Sequence, residues 1–262
     1  DQKEGPNRYS YVGNNPISFV DPDGNAKASA TGEVLRKVVR ALFGGGGDTR
    51  GFAPGVNLAK DTVTRDVYRT ITQQHGVQVI GGLEDYFRIN GITSDQYNRI
   101  LSGEFLKVVP SAVYVDSNRF GGNTRILISP YHDPADAVVL LHEMGHHLQS
   151  SADFKLVDAI AAKQDERFER LIRPLVEIPA DDFAASTLEL AIGDLPEGNL
   201  KAYYLERLKE TNARRYRVWM TARNCIQDCG LTREEVDSIA PEEYQTVIDY
   251  VFHGLDSMIS KE

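Results

Sequence analysis

LLHEMGHHLQ, residues 140–149, places three histidines and a glutamate within six positions of an apolar stretch, and its reading decides what the rest of the chain is for. At 3.6 residues per turn, His142 and His146 stand one turn apart, about 40 degrees from each other on the helical wheel. Ala137, Leu140, Leu141, Met144 and Leu148 fall in a band about 160 to 260 degrees from His142. The helix is therefore two-sided: one side locks into a core and the other aims two imidazoles into a shared space, as two ligands of a tetrahedral Zn²⁺ require. Glu143, one position round, is placed to reach a water in the open coordination position, where a general base belongs.

Two histidines do not hold zinc in a catalytic site, so a third protein ligand is expected. VEIPADDFAASTLEL, residues 176–190, offers Glu177 and Asp181 four residues apart, with helical spacing beyond them in Phe183, Ala184, Thr187 and Leu188. Glu177 completes a His₂Glu set. Asp181, one turn on, can accept the free N–H of His142 and fix its tautomer. Pro179 lies between the two acids, where it is expected to delay or bend the helix.

HExxH followed by ExxxD resembles the gluzincin class of zinc metallopeptidases, and over roughly residues 107–190 the local forms look more like the compact ImmA/IrrE-type peptidases than the thermolysin-like ones. That resemblance implies His142, His146 and Glu177 as zinc ligands, Glu143 as general base and Asp181 as the residue that orients His142. It also implies that the strand around Ile126 to Ser129 is the edge that holds an extended substrate. The oxyanion donor is not fixed by these motifs. RRYR, Arg214 to Arg217, is one source for it, and a solvated helical face is the alternative.

The other histidines read as structural: His147 beside the apolar stripe, His75 at a helix end, His132 in the loop SPYHDP, and His253 on a terminal helix. Cys225 and Cys229, four apart near a helix end, make a poor disulfide pair and read as reduced thiols.

Around this centre the chain reads as α+β: a mostly helical zincin-like domain with a small antiparallel sheet. Residues 60–75 fit a helix, VQVI a strand, LEDYFRI and SDQYNRILSGEF helices, the second capped by Ser94 or Asp95. VVPSAVYVD and TRILISP flank RFGGN as a hairpin. HDPADAVVLLHEMGHHLQ starts a helix with Asp133 as its cap and Pro134 in first position, and the chain is almost wholly helical after residue 155, with TREE and APEEYQ as further starts.

Upstream, NRYSYVGNNPISFVDPDG, residues 7–24, reads as a β-hairpin whose Tyr9, Tyr11, Ile17 and Phe19 need a sheet to pack on. It resembles the closing segment of the Rhs/YD-repeat core, matching at Tyr9, Tyr11, Asn14, Asn15, Pro16, Asp21, Pro22 and Gly24. In that family the core is often self-cleaved near this motif, and Asp21 matches one of the acids implicated. Asn25 departs from the usual leucine, and the upstream part of the cleavage site is not in these residues, so Asp21 and Gly24 read here as a turn. The expected organisation is residues 1–25 as the end of an Rhs core, 26–58 as a helix and the linker GGGGDTRGFAPG, and 59–262 as the metallopeptidase domain.

With 262 residues, 41% of them hydrophobic, the chain can bury a sizeable core, and no apolar run approaches the roughly 20 residues of a membrane span. A net charge of -9 argues against nucleic acid as a partner and gives a faint preference for basic segments in a target. The two resemblances together imply a C-terminal toxin domain of an Rhs-type secreted protein. It would be carried by the shell and its secretion apparatus in place of a signal peptide, would cleave a protein or peptide substrate inside a target cell, and would pair with an immunity protein. A hydrolase of another amide, in a side chain or a cell-wall peptide, and a non-catalytic metal-stabilised interaction module are the alternative classes.

Overall fold

The computed structural model describes residues 52–83, 87 and 110–259, with side chains given as far as His253. The Rhs-like hairpin with Asp21, the stretch 26–51, and most of the two helices expected between 83 and 105 lie outside the described residues.

The first helix among the described residues is α1 (Thr62–Arg69), capped by the Asp61 side chain on the Thr64 N–H and prolonged by a π-turn (Thr70–Gln74). Strands β1 (Gln78–Gly81), β2 (Ala112–Val115) and β3 (Arg125–Ile128) form one sheet in the order β1-β3-β2, with the short helix α2 (Ser117–Phe120) between β2 and β3. The expected antiparallel pairing holds between β2 and β3, whereas β1 joins β3 in parallel, so the sheet is mixed. Three long helices follow: α3 (Ala137–Lys163), α4 (Glu166–Asp194) and α5 (Asn199–Asp228). Then come α6 (Arg233–Asp237), begun by a Thr232/Glu235 capping box as TREE predicts, a 3-10 turn (Glu242–Tyr244) and α7 (Gln245–Ile259).

The sheet order corrects the expectation for the substrate edge. β3 is the central strand, paired on both sides and buried along its whole length, so Ile126 to Ser129 cannot add another strand. Among the described residues β2 has a partner on one side only, and it is the edge that faces the helices. A second correction concerns the start of α3. Its cap is Asp136, which accepts from the N–H groups of Val138 and Val139, not Asp133. The reason is tertiary: Ala135 exchanges backbone hydrogen bonds with Asn57 and Ala59, which keeps the chain extended until the next residue. The same bridge ties residues just upstream of 59 to the body, where Leu58 is buried and Phe52 and Val56 pack on the core.

Buried side chains form two main clusters. One joins the sheet and α1 to the start of α3 and the end of α4, through Ile126, Leu140, Met144 and Phe183. The other joins the rest of α3 and α4 to α5 and α7, through Leu156, Leu171, Ile226 and Val251. Leu148, assigned by the wheel to the apolar band, is 37% exposed, because the first cluster ends a turn before it.

α4 runs unbroken through Pro174 and Pro179, against the expected late start. Each proline leaves the carbonyl four residues earlier without its helical donor. For Pro174 that carbonyl is Arg170, and the thiol of Cys225 on α5 donates to it at 3.5 Å. Both cysteines are free thiols, as the sequence suggests.

The tightest helix contact is at Gly145. A Cβ built there would lie 2.7 Å from Ala180 Cα and 3.0 Å from its carbonyl oxygen, both backbone atoms of α4. Gly145→Ala gains about 1 kcal/mol of helix propensity but forces two backbones apart, which costs about 1–3 kcal/mol. The strain prevails, because backbone cannot rotate out of the way as a side chain could. The variant is expected to unfold at lower urea than the wild type and to bind metal more weakly; unchanged midpoint and metal content would show that the two helices can separate freely.

Candidate metal centre

The site lies where the two cores meet. Along α3 it spans His142 to His146, before the second cluster begins at Ala152, and along α4 it spans Glu177 to Asp181, before the first cluster resumes at Phe183. A cleft of about 1330 Å³ opens over it, walled by Ser111 to Tyr114 of the β2 edge, by α3, α4 and α5, and by Arg119 and Phe120.

His142, His146 and Glu177 each bring one ligand atom into a group within 4.8 Å of one another. Nε2 of His142 is 3.4 Å from Oε2 of Glu177. Tetrahedral coordination with bonds of about 2.0–2.1 Å separates ligand atoms by roughly 3.4 Å, so this pair already has the spacing a metal needs. Two imidazoles and one carboxylate, held partly buried by two packed helices, can bind a divalent metal ion. Glu143 is 6% exposed and lines the same cleft.

Asp181 is where the sequence places it. Its Oδ1 lies 2.8 Å from Nδ1 of His142, which leaves Nε2 for the metal and fixes the ring between the two carboxylates. Burial works against a charge on His142, but Asp181 and Glu177 outweigh it and raise the ring's pKa to about 9. Burial likewise opposes ionisation of Glu177, yet His142, His146 and Arg214 hold its carboxyl at about 2.

Several residues in contact with this centre are not marked by its motifs. Asp153 lies 3.7 Å from Nδ1 of His146 and accepts the Tyr244 hydroxyl. Seven residues after His146 on one helix, it shares that residue's face, so periodicity alone could have found it. RRYR divides its labour. Arg214 reaches Glu177 at 2.5 Å and Asp181 at 3.2 Å, with His142 Nε2 at 3.3 Å. Arg215 is paired with the buried Asp182. Arg217 lines the cleft while remaining exposed, and Tyr216 faces solvent at 61% exposed. At the mouth of α3, Arg207 and Tyr203 of α5 hold the capping carboxylate of Asp136.

The remaining histidines stay outside the ligand set. His147 meets the Tyr114 hydroxyl at 3.2 Å and stacks edge-on near His75, which caps the π-turn. His132 gives its carbonyl to Asn57, and His253 is exposed.

Two outcomes follow from this geometry. Asp181→Asn keeps the shape but loses the charge behind His142, so zinc affinity in a competition titration against a chelator should fall about 10- to 100-fold. Unchanged affinity would remove Asp181 from the site. The second concerns pH. Below about 9 the metal-free His142 carries a proton that the ion must displace, while Glu177 is ionised throughout. Apparent zinc affinity should therefore rise about tenfold per unit between pH 6.5 and 8.5, from His142 alone, and level off above 9. A flat profile would mean that His142 is neutral before metal arrives.

No protein-family model, curated protein or solved structure matches this chain, so the functional reading rests on the residues and their arrangement.

Proposed function

We propose that the chain is a zinc-dependent metalloendopeptidase and that it serves as the toxin domain of an Rhs-type secreted protein. The observation that carries the enzymatic reading is the meeting of His142, His146 and Glu177 within 4.8 Å in a cleft that Glu143 also lines. A structural metal site needs no general base and no access, and this one has an acid in position and an open cleft. A bound zinc supplies a Lewis acid for the scissile carbonyl and brings the pKa of a water near neutrality. Glu143 would accept a proton from the attacking water and deliver it to the leaving amine. Arg214, a donor beside His142 and Glu177, would stabilise the oxygen that becomes negative as the carbonyl is attacked.

The substrate edge is reassigned to β2. Ser111, Ala112, Val113 and Tyr114 line the cleft, and an extended peptide added there would run along the same cleft as the ligand triad. An open trough bounded by a strand edge suits a polypeptide better than a compact small molecule. The effector role rests on the resemblance of residues 7–24 to an Rhs core and carries with it delivery by a secretion apparatus and a cognate immunity protein.

The decisive comparison uses purified wild-type protein, Glu143→Gln and His142→Ala, each assayed for zinc by elemental analysis, for cleavage of β-casein by intact-mass analysis, and for toxicity on intracellular expression. Near-stoichiometric zinc is expected in the first two. Cleavage should drop about 10²- to 10⁴-fold in Glu143→Gln, and toxicity should go with it. A zinc-loaded Glu143→Gln that kills as well as the wild type would eliminate catalysis by this site. A mass gain of about one dalton without chain scission would replace the peptidase with a deamidase.

A further inference from the structure

The protein carries a net charge of -9, yet the cleft is lined by Arg119, Arg173, Arg207, Arg214 and Arg217. Two of these are committed. Arg207 binds Asp136 at 2.6 Å, and Arg214 binds Glu177 and Asp181. Arg119 has only a loose contact, 3.7 Å, with the exposed Asp158. Arg173 and Arg217 are exposed and have no carboxylate partner among the described residues.

These three arginines share one end of the cleft. Helices α4 and α5 are antiparallel, since Asp182 meets Arg215, Glu177 meets Arg214 and Arg170 meets Cys225. Arg173 is one turn before Glu177, and Arg217 about one turn after Arg214, so both lie on the side away from the sheet. Arg119 reaches the same end, with its guanidinium 5.0 Å from the ring centre of Phe154. The floor between them is apolar and half-buried: Phe154, Val157, Ile172 and Val176. The acids that line the cleft are all engaged elsewhere: Glu143, Glu177 and Asp181 at the metal centre, Asp153 with Tyr244, and Glu210 with Arg207.

An apolar floor under a rim of guanidinium groups, two of them without a carboxylate partner among the described residues and the third only loosely paired, is complementary to one kind of peptide segment. We infer that this end of the cleft selects a bulky apolar side chain flanked by Asp or Glu, close to the bond that is cut. The four-residue step from Arg173 to Glu177 rises roughly 6 Å along the helix, about two residues of extended chain. With the reach of an arginine side chain added, the acidic residue falls about two to four positions from the scissile bond. The inference deepens the peptidase reading and rests on it for the scissile bond. It reverses the preference for basic targets that overall charge suggests.

The test separates binding from turnover. Two fluorescein-labelled octapeptide pools share a Leu/Phe position and differ only at its neighbours, Asp/Glu in one and Lys/Arg in the other. Each is titrated by fluorescence polarisation against zinc-loaded, full-length Glu143→Gln protein. The acidic pool should bind at least about tenfold more tightly in 0.05 M salt and lose most of that advantage in 0.5 M salt. Adding Arg173→Glu and Arg217→Glu should abolish or invert the preference with zinc content and circular dichroism unchanged. Equal affinity for both pools, none for either, or a preference that survives both charge reversals overturns the inference. Acidic peptides that bind the trap but are left uncut by the wild type uphold the acid-selective cleft and remove the peptidase reading instead.

Discussion

The close approach of Gly145 and Ala180 is the constraint on which the rest of the site depends. Without a side chain on one helix and with only a methyl on the other, α3 and α4 touch backbone to backbone. The four central residues are disposed symmetrically about that contact. His142 and His146 lie three before and one after Gly145, and Glu177 and Asp181 lie three before and one after Ala180. Those offsets are about 60 and 100 degrees round each helix on one side of the contact line, so both pairs project into one cleft. A wider spacing would leave each pair facing solvent with nothing to share.

Bringing those residues together costs stability, and the neighbouring helix offsets part of that cost. His142, Glu143, Asp181 and Asp182 are between 1% and 7% exposed, an expensive collection to remove from water. α5 supplies part of the compensation as three arginines, Arg207 and, two turns on, the adjacent pair Arg214 and Arg215. Arg207 meets Asp136, Arg214 meets Glu177 and Asp181, and Arg215 meets Asp182. Burial still pushes the Asp182 carboxyl above its usual range against the pull of Arg215. A buried ion pair of this kind adds little net stability over an apolar pair of the same volume. Its value here is registry: it fixes α5 lengthwise against α4 and thereby sets where Arg214 stands over the ligand triad.

What could be read in the sequence was whatever one helix decides for itself. The two-sidedness of HEMGHH, the four-residue step from Glu177 to Asp181 and the capping box at Thr232 are short-range patterns, and they reappear in the structure. What failed depended on remote partners. Asp133 obeys every local rule for a cap, but a bridge from Asn57 to Ala59 keeps the chain extended as far as Asp136. Pro179 offends a local rule, and packing on Gly145 and the sheet-side core keeps α4 helical through it. For β3 the local signal was present and misread. RILI is apolar without alternation, the pattern of a strand covered on both faces, which an edge strand seldom shows. Nothing in the sequence could have told that Arg214 and Arg215, adjacent in RRYR, would divide between the cleft and a buried carboxylate.

The contrast between an acidic protein and an arginine-lined cleft is a matter of length scale. Net charge acts over distance, and at physiological ionic strength that distance is limited to about 8 Å. Within the cleft, low-dielectric walls confine the field, and partners within a few ångströms decide its sign. Near the sheet, Arg207 offsets Asp136 and a single Arg214 serves both Glu177 and Asp181, leaving a surplus of negative charge that a bound cation would neutralise. Toward Phe154 the floor is apolar, Arg119 is held only loosely by Asp158, and Arg173 and Arg217 have no carboxylate partner among the described residues. The cleft therefore has an acid-rich centre and an arginine-rimmed end along one trough, and on the proposed peptidase reading a threaded chain would be oriented by charge before any side-chain pocket distinguished its sequence.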